Sequence, residues 1–301
     1  MLDDVFGQDW LTPAIAFTVS VIGSFLGLSF AYRARRAIGL ARWHWTVLAA
    51  LALGGMAVWS MHFIAMMGFR LSGTAIRYDT LLTLVSGGTA IVVMGGALAL
   101  SMRNRSTPVL LLSGLLLGAG VIAMHLTGIA SMNVHGALHL SAGYTVVSCV
   151  IALVAATAAL WFATRVTGLG ANAGASVLMG VAITSMHYTG MAGVHHEAPD
   201  FTRYGAPEGS TVPDLMLPMI VVLFVFLLIC SLFLLLGVEE ERTDYSRRPE
   251  HAADVPPDDE VRPGDAGYNP RHASAPPVPP PALPAPVEQY RPTDDVWTRR
   301  R

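Results

Sequence analysis

Seven stretches of this chain run for about twenty residues or more with no Asp, Glu, Lys or Arg in their interiors: roughly 11–32, 45–69, 80–102, 109–132, 143–164, 173–194 and 214–238. A helix needs about 20 predominantly apolar residues to cross the hydrocarbon layer of a membrane. Inside that layer no water can hydrogen-bond the peptide groups. Each stretch must therefore satisfy its own backbone, and helix is the state that does so. The expected fold is all-α, a polytopic membrane protein of seven transmembrane helices. Residues 1–10 carry Asp3, Asp4 and Asp9 and no basic residue. A secretory signal opens with a positive region, so the first stretch reads as a retained helix.

The charged residues draw the main boundary. They make up 13% of the chain, against roughly 25% in a soluble domain. Residues 239–301 nevertheless hold 22 of the 40 charged side chains and 13 of the 19 prolines. The division expected is a membrane domain over 1–239 and a polar tail over 240–301. Runs such as Ala275–Pro281 cannot build a core, so the tail should be disordered or polyproline-like. It leaves no room for a catalytic domain, and the chain is not expected to be an enzyme. Its expected surroundings are the lipid bilayer and a separate cytoplasmic signalling partner, with no nucleic acid.

All 19 basic residues are arginine. The links after the first, third and fifth helices carry Arg33, Arg35, Arg36, Arg42, Arg103, Arg105 and Arg165, while the opposite links carry Arg70, Arg77 and Arg203. Excess basic charge marks the cytoplasmic side. The N-terminus should lie outside and the C-terminus inside a cell membrane, with Arg242, Arg247 and Arg248 in agreement. Trp10, Trp43, Trp45 and Tyr78 fall near helix ends and read as interfacial anchors. Cys149 and Cys230 fall at opposite depths, too far apart for a disulfide, and read as buried packing residues.

The informative pattern is a triplicated motif. Trp59-Ser60-Met61-His62-Phe63-Ile64-Ala65-Met66 closes the second helix; Ile122-Ala123-Met124-His125-Leu126-Thr127-Gly128-Ile129 lies in the fourth; Thr184-Ser185-Met186-His187-Tyr188-Thr189-Gly190-Met191 lies in the sixth. The histidines are 63 and 62 residues apart, a fixed period of the kind that marks a structural repeat. The unit is two helices, so the body reads as three helical hairpins plus one extra helix. Glycine stands seven residues before each histidine (Gly55, Gly118, Gly180), and a small residue stands three after it (Ala65, Gly128, Gly190). At 3.6 residues per turn, positions seven before and four after share the histidine's face. The expected arrangement is pseudo-three-fold. Helices two, four and six surround one axis, and their histidines form a ring about 10 Å below the outer boundary.

Met186-His187-Tyr188-Thr189 resembles the signature of the MHYT domain, and the other two copies resemble its variants. The resemblance covers about residues 10–238. It implies a bacterial membrane sensor domain of a kind often fused to cyclic-dinucleotide enzymes or histidine kinases. It further implies copper bound through Met and His, with oxygen, carbon monoxide or nitric oxide as the signal. The chain departs from the pattern at Ile129, where the other copies have methionine. No output domain is expected after the seventh helix.

Read from the residues alone, ionisable groups inside a bilayer are expensive and usually functional. A lone buried histidine could equally well bond a neighbouring helix; three equivalent ones facing one axis favour a metal site. Imidazole with thioether suits copper. The missing thiolates and carboxylates argue against structural zinc, calcium or magnesium. His62, His125 and His187 are the candidate nitrogen ligands, with Met66 and Met191 one turn further along the same face. Met61, Met124 and Met186 lie about 100° away, to reach the site by curling round or to pack between hairpins. Thr127, Thr189, Ser60 and Ser185 could orient the imidazoles, or bond back to their own helices. His135, His139, His195, His196 and Glu197 on outer links could capture metal, or be ordinary loop residues. The competing functions are a metal or small-solute transporter, which usually buries carboxylates, and a haem or redox protein with two histidines as axial ligands. A retinal receptor needs a lysine and is excluded. A membrane hydrolase ranks last.

Overall fold

The computed structural model describes residues 10–71, 74–197 and 205–247. Asp3, Asp4, Asp9, Arg203, Arg248 and the proline-rich run lie outside the described residues. Seven helices follow in order: α1 Leu11–Arg36, α2 Gly39–Gly68, α3 Thr80–Arg103, α4 Thr107–Ala130, α5 Ala142–Arg165, α6 Leu169–Ala192 and α7 Val212–Arg247. Each is long and apolar enough to cross a membrane. The protein is an all-α, multi-pass membrane protein.

Boundaries moved where side chains found partners that hydropathy does not register. The α1–α2 link shrinks to Ala37 and Ile38. Arg33, Arg35 and Arg36 form the last turn of α1, where cations complement the helix dipole. Trp45 lies beneath them: the Arg33 guanidinium sits 5.0 Å from its ring, and Phe30 stacks on it at 5.8 Å. Trp45 therefore packs between helices as well as marking a boundary. Trp10 and Trp43 are exposed, as anchors should be. Tyr78 is not an anchor: it is only 3% exposed, because its backbone is held in a strand.

Packing around the bundle is cyclic. α1 packs on α2, α2 on α3, and so on to α6, which returns to α1. The repeat glycines explain the contacts. A β-carbon on Gly55 would touch Ile91 of α3; on Gly118 it would run into Leu153 of α5; on Gly180 it would run into Val21 of α1. These glycines do not share the axial face with the histidines, as simple helical phase suggests. They admit the odd helix of the next repeat, and small residues are what let membrane helices approach closely. Moving from repeat to repeat carries α2 to α4 to α6 and α3 to α5 to α1, so α1 closes the ring. α7 lies outside it, with only 6% of its span buried.

α2 carries a second device. Leu51–Ser60 winds as a π-helix. Ser60 Oγ donates to Gly55 O, five residues back, at 2.9 Å, which matches the wider turn. A β-carbon on Gly54 would lie 2.7 Å from Ala90 O of α3, so at Gly54 two backbones meet. Trp59 lies over Gly87 and donates Nε1 to Thr83 O at 3.2 Å and Ser86 Oγ at 3.1 Å. Wide turns of this kind are frequent beside functional sites, and this one ends two residues before His62.

Gly54→Ala should destabilise the bundle by about 1–3 kcal/mol through overpacking. Gly88→Ala, with open space around it, should be neutral or slightly stabilising, because alanine is the better helix former. Thermal unfolding in detergent checks both; equal shifts would contradict the α2–α3 packing.

Candidate metal centre

α2, α4 and α6 each bring one histidine inward, five or six residues before their ends at Gly68, Ala130 and Ala192. The depth is about 8–9 Å, slightly shallower than helical phase and hydropathy predict. His62, His125 and His187 are 1%, 3% and 1% exposed. Their rings form a three-bladed propeller with centroids 5.0 Å (His62–His125), 4.8 Å (His62–His187) and 5.4 Å (His125–His187) apart, at interplanar angles of 73°, 85° and 83°. All three Nδ1 atoms point inward. Nδ1 of His62 lies 2.9 Å from that of His187 and 3.2 Å from that of His125. Among the described residues this is the one group of three His, Cys, Asp or Glu side chains close enough to share an ion.

The Nε2 atoms face outward and have no hydrogen-bond partner. A β-carbon on Gly128 would collide with Nε2 of His62, and one on Gly190 with Nε2 of His125. In the second and third repeats the glycine three positions after the histidine is thus a cradle for the preceding repeat's imidazole. The periodicity displays these residues, but only the packing shows that they receive a ring. Ser148 of α5 was also missed. Its Oγ donates to Met186 O at 3.1 Å and borders the Gly190 cradle. Ser86, 62 residues earlier, holds Trp59; that spacing was the available signal.

A neutral imidazole has one donor and one acceptor nitrogen. An Nδ1–H that donates to one neighbour cannot accept from the third ring, so three converging Nδ1 atoms cannot satisfy one another. Each buried polar atom left unmatched costs about 1–3 kcal/mol. A single cation accepts all three lone pairs. Three nitrogens bonded at about 2.0 Å would sit about 3.3–3.5 Å apart, close to the 2.9 and 3.2 Å found for two of the three pairs. The donor set fits a first-row metal without repositioning a helix.

Met66, Met191, Met61, Met124 and Met186 are all buried, as is Ile129. Met186 lines two cavities. One is a pocket of about 10 Å³ beside His125, bordered by Ile129, Ser148 and half-buried Cys149; the other is an apolar cavity of about 160 Å³ walled by Leu53, Leu117 and the alanines of α5. The proposed orienting hydroxyls do not reach the rings. Ser60 bonds Gly55 and Ser185 is exposed. Among the described residues no hydroxyl bonds an imidazole nitrogen.

A cap closes this end of the bundle. β1 (Arg77–Tyr78) pairs with β2 (Met132–Asn133), and β3 (Ala137–Leu140) with β4 (Val194–Glu197). Tyr78 exchanges backbone bonds with Ser210 at 3.0 and 2.9 Å. The three links after α2, α4 and α6 are therefore tied pairwise in a cycle. The outer histidines serve this cap. His196 donates to His135 O at 2.8 Å, His135 to Gly205 O at 3.1 Å and His195 to Gly193 O at 3.0 Å. His139 meets Glu197 at 2.9 Å on the surface.

Fold and site together define a polytopic membrane protein with a triplicated, water-excluded histidine centre. The family model described as MHYT, bacterial signalling protein N terminal repeat, matches residues 55–114, 118–175 and 180–238, and the chain belongs to that family. Each match begins at the glycine that admits the next odd helix. The chain is 35% identical over 187 residues (60% of this chain, 27% of the relative) to the bifunctional diguanylate cyclase/cyclic di-GMP phosphodiesterase MucR of Pseudomonas aeruginosa. It is 31% identical over 204 residues (67% and 24%) to an uncharacterized signaling protein of Caulobacter vibrioides. It is 30% identical over 198 residues (62% and 24%) to the cyclic di-GMP phosphodiesterase NbdA of Pseudomonas aeruginosa. The chain thus spans about a quarter of the length of these relatives. No solved structure matches it. The family and these relatives support a membrane sensor role.

Burial in the cap pushes the Tyr78 phenol well above its ordinary value, near 10 in water. The unfolded chain then loses this proton first as pH rises. The stability tied to neutral Tyr78 is complete below about pH 10 and falls above it. Tyr78→Phe should flatten the alkaline limb of the stability–pH curve, read by thermal unfolding; an unchanged limb would contradict the burial.

Proposed function

We propose that this protein is a membrane sensor in which Nδ1 of His62, His125 and His187 holds one copper ion, and that copper itself or a diatomic gas is the signal. The observation that carries the reading is the convergence of three Nδ1 atoms, two pairs of them 2.9 and 3.2 Å apart, in a dry interior. Copper is favoured over structural zinc because neither thiolate nor carboxylate joins the imidazoles. The five buried methionines Met61, Met66, Met124, Met186 and Met191 supply a soft, polarisable surround in which Cu(I) is at home. His62, His125 and His187 would hold the Cu(I), which when bound would supply the affinity for oxygen, carbon monoxide or nitric oxide. An apolar cavity of about 160 Å³ beside Met186 is the sort of space that stays dry and takes apolar guests.

The chain's own residues do the rest. Gly128 and Gly190 hold two rings in place, the strand cap excludes water, and each ligand belongs to a different repeat. A change at the centre would therefore act on all three repeats at once. The excess of arginine on the links after α1, α3 and α5 supports an orientation with the N-terminus and the histidine end outside. Those links face a separate cytoplasmic signalling partner, and the chain acts as receiver rather than enzyme. A haem reading is disfavoured, since rings in near-perpendicular contact leave no slot for a macrocycle.

Detergent-purified full-length chain, loaded with Cu(I) and desalted, should retain about one copper per chain; the His62→Ala/His125→Ala/His187→Ala variant should retain none. Copper absent from the parent, or equal in both, defeats the proposal. Gly128→Ala should displace the His62 ring and weaken copper at least about tenfold, the range seen when a ligand's support is lost. Gly88→Ala should leave affinity unchanged.

A further inference from the structure

The opposite end of the bundle carries a second cluster of like groups. A pocket of about 80 Å³ lies there between the end of α3, the start of α4 and the end of α5, lined by Ser101, Arg105, Leu110, Thr164 and Arg165. That is room for a few heavy atoms, since a water occupies about 30 Å³ of liquid. Arg35 joins from α1: its Nη2 donates to Val166 O at 2.5 Å, one residue beyond Arg165, and its charge repels that of Arg105. Three arginines, one from each repeat, therefore come to this end: Arg105 and Arg165 line the pocket, and Arg35 is bonded to the residue after Arg165.

Nothing described neutralises them. The one side-chain ion pair among the described residues, His139–Glu197, belongs to the strand cap at the far end. Ser101 and Thr164 spend their hydroxyl protons on Leu98 O and Leu160 O of their own helices, and Arg35 already donates to Val166 O, so the guanidinium forks of Arg105 and Arg165 are the main donors left. Arg105 and Arg165 are exposed, and water weakens their mutual repulsion. Arg35 is half-buried and gains less from that screening. Like charges held together at a membrane boundary are stabilised by an anion between them.

We propose that Arg35, Arg105 and Arg165 form a phosphate-binding pocket that draws the three repeats together at the end remote from the histidines. Guanidinium recognises phosphate by paired, charge-assisted hydrogen bonds, which an ammonium cannot reproduce. Basic pockets between transmembrane helices at the membrane surface take the phosphates of anionic lipid head groups. A soluble phosphate would offer the same oxygens. The occupant ties α1 to the α3–α4 link and the end of α5, the regions through which movement at the histidine centre must pass. The pocket needs no copper, so it stands or falls independently of the metal reading.

The test uses full-length protein in nanodiscs of phosphatidylcholine, with and without phosphatidylglycerol, and in detergent with and without inorganic phosphate. Retained lipid is read by native mass spectrometry and stability by thermal unfolding. Arg105→Lys/Arg165→Lys preserves charge, and hence insertion, while removing the forks; Arg105→Gln/Arg165→Gln removes both. Arg70→Gln/Arg103→Gln makes the same charge change outside the pocket. Phosphatidylglycerol should stay bound to the parent and to the Arg70/Arg103 control. Retention should fall at least about tenfold in the Lys and Gln pocket variants, the loss of one paired contact. Stabilisation by inorganic phosphate alone, lost in the same variants, supports the pocket with a soluble source. No effect of either anion, or equal effects in parent, pocket variants and control, overturns it.

Discussion

Three imidazole nitrogens meeting in a place without water cannot satisfy one another, and the rest of the structure is arranged around that fact. Neutral histidines have one donor and one acceptor each, and the outward nitrogens of this centre have no partner at all. Such a cluster is costly in a bilayer interior unless its position is held by everything packed on it. The holding is visible residue by residue. Gly55, Gly118 and Gly180 let odd helices come close enough to close the ring. Gly128 and Gly190 receive the backs of two rings. The three links above are tied to one another by strand pairs and by Tyr78.

The three repeats are not equivalent, and their differences fall at the centre. His62 is the ring whose Nδ1 lies near both others, and it follows the π-helical stretch of α2 directly. The fourth helix has Ile129 where its counterparts have Met66 and Met191, and a small pocket borders that same residue beside His125. In the second repeat Gly128 cradles a ring, whereas the first repeat has Ala65, already bearing the methyl group that glycine lacks. A perfectly symmetric site would have three equal distortions available to it. This one has a distinct central histidine and a distinct open side, the kind of bias a switch between two arrangements requires.

The two ends of the bundle divide the work chemically. One gathers three imidazole nitrogens and is sealed by backbone pairing; the other gathers arginines at a boundary and lies open. Both groups are drawn from all three repeats, so each end reports on the same relative positions. α7 packs on the outside of the ring, with little of its span buried, and among the described residues it contributes none to either cluster. Its sequence shows only that it crosses the membrane.

How much of this was legible in the residues follows from what repeats and what does not. The absence of charge from seven long runs decided the helices, because an unsatisfied peptide group in lipid has no alternative. The fixed 62–63 residue spacing of Met-His decided that three histidines are equivalent, and equivalence on parallel helices leaves a ring as the simplest outcome. Helical phase then misassigned the glycines at −7, and position near a helix end made Tyr78 an anchor. Phase describes one helix at a time; which neighbour a face meets depends on how the ring closes, and α1 closes it from the far end of the chain. The inward turn of Nδ1, the cradles at Gly128 and Gly190, and the approach of Arg35 to Arg105 came only with the tertiary structure. Each brings together residues more than sixty positions apart, and the rotamers are selected by volume left over after backbones have packed.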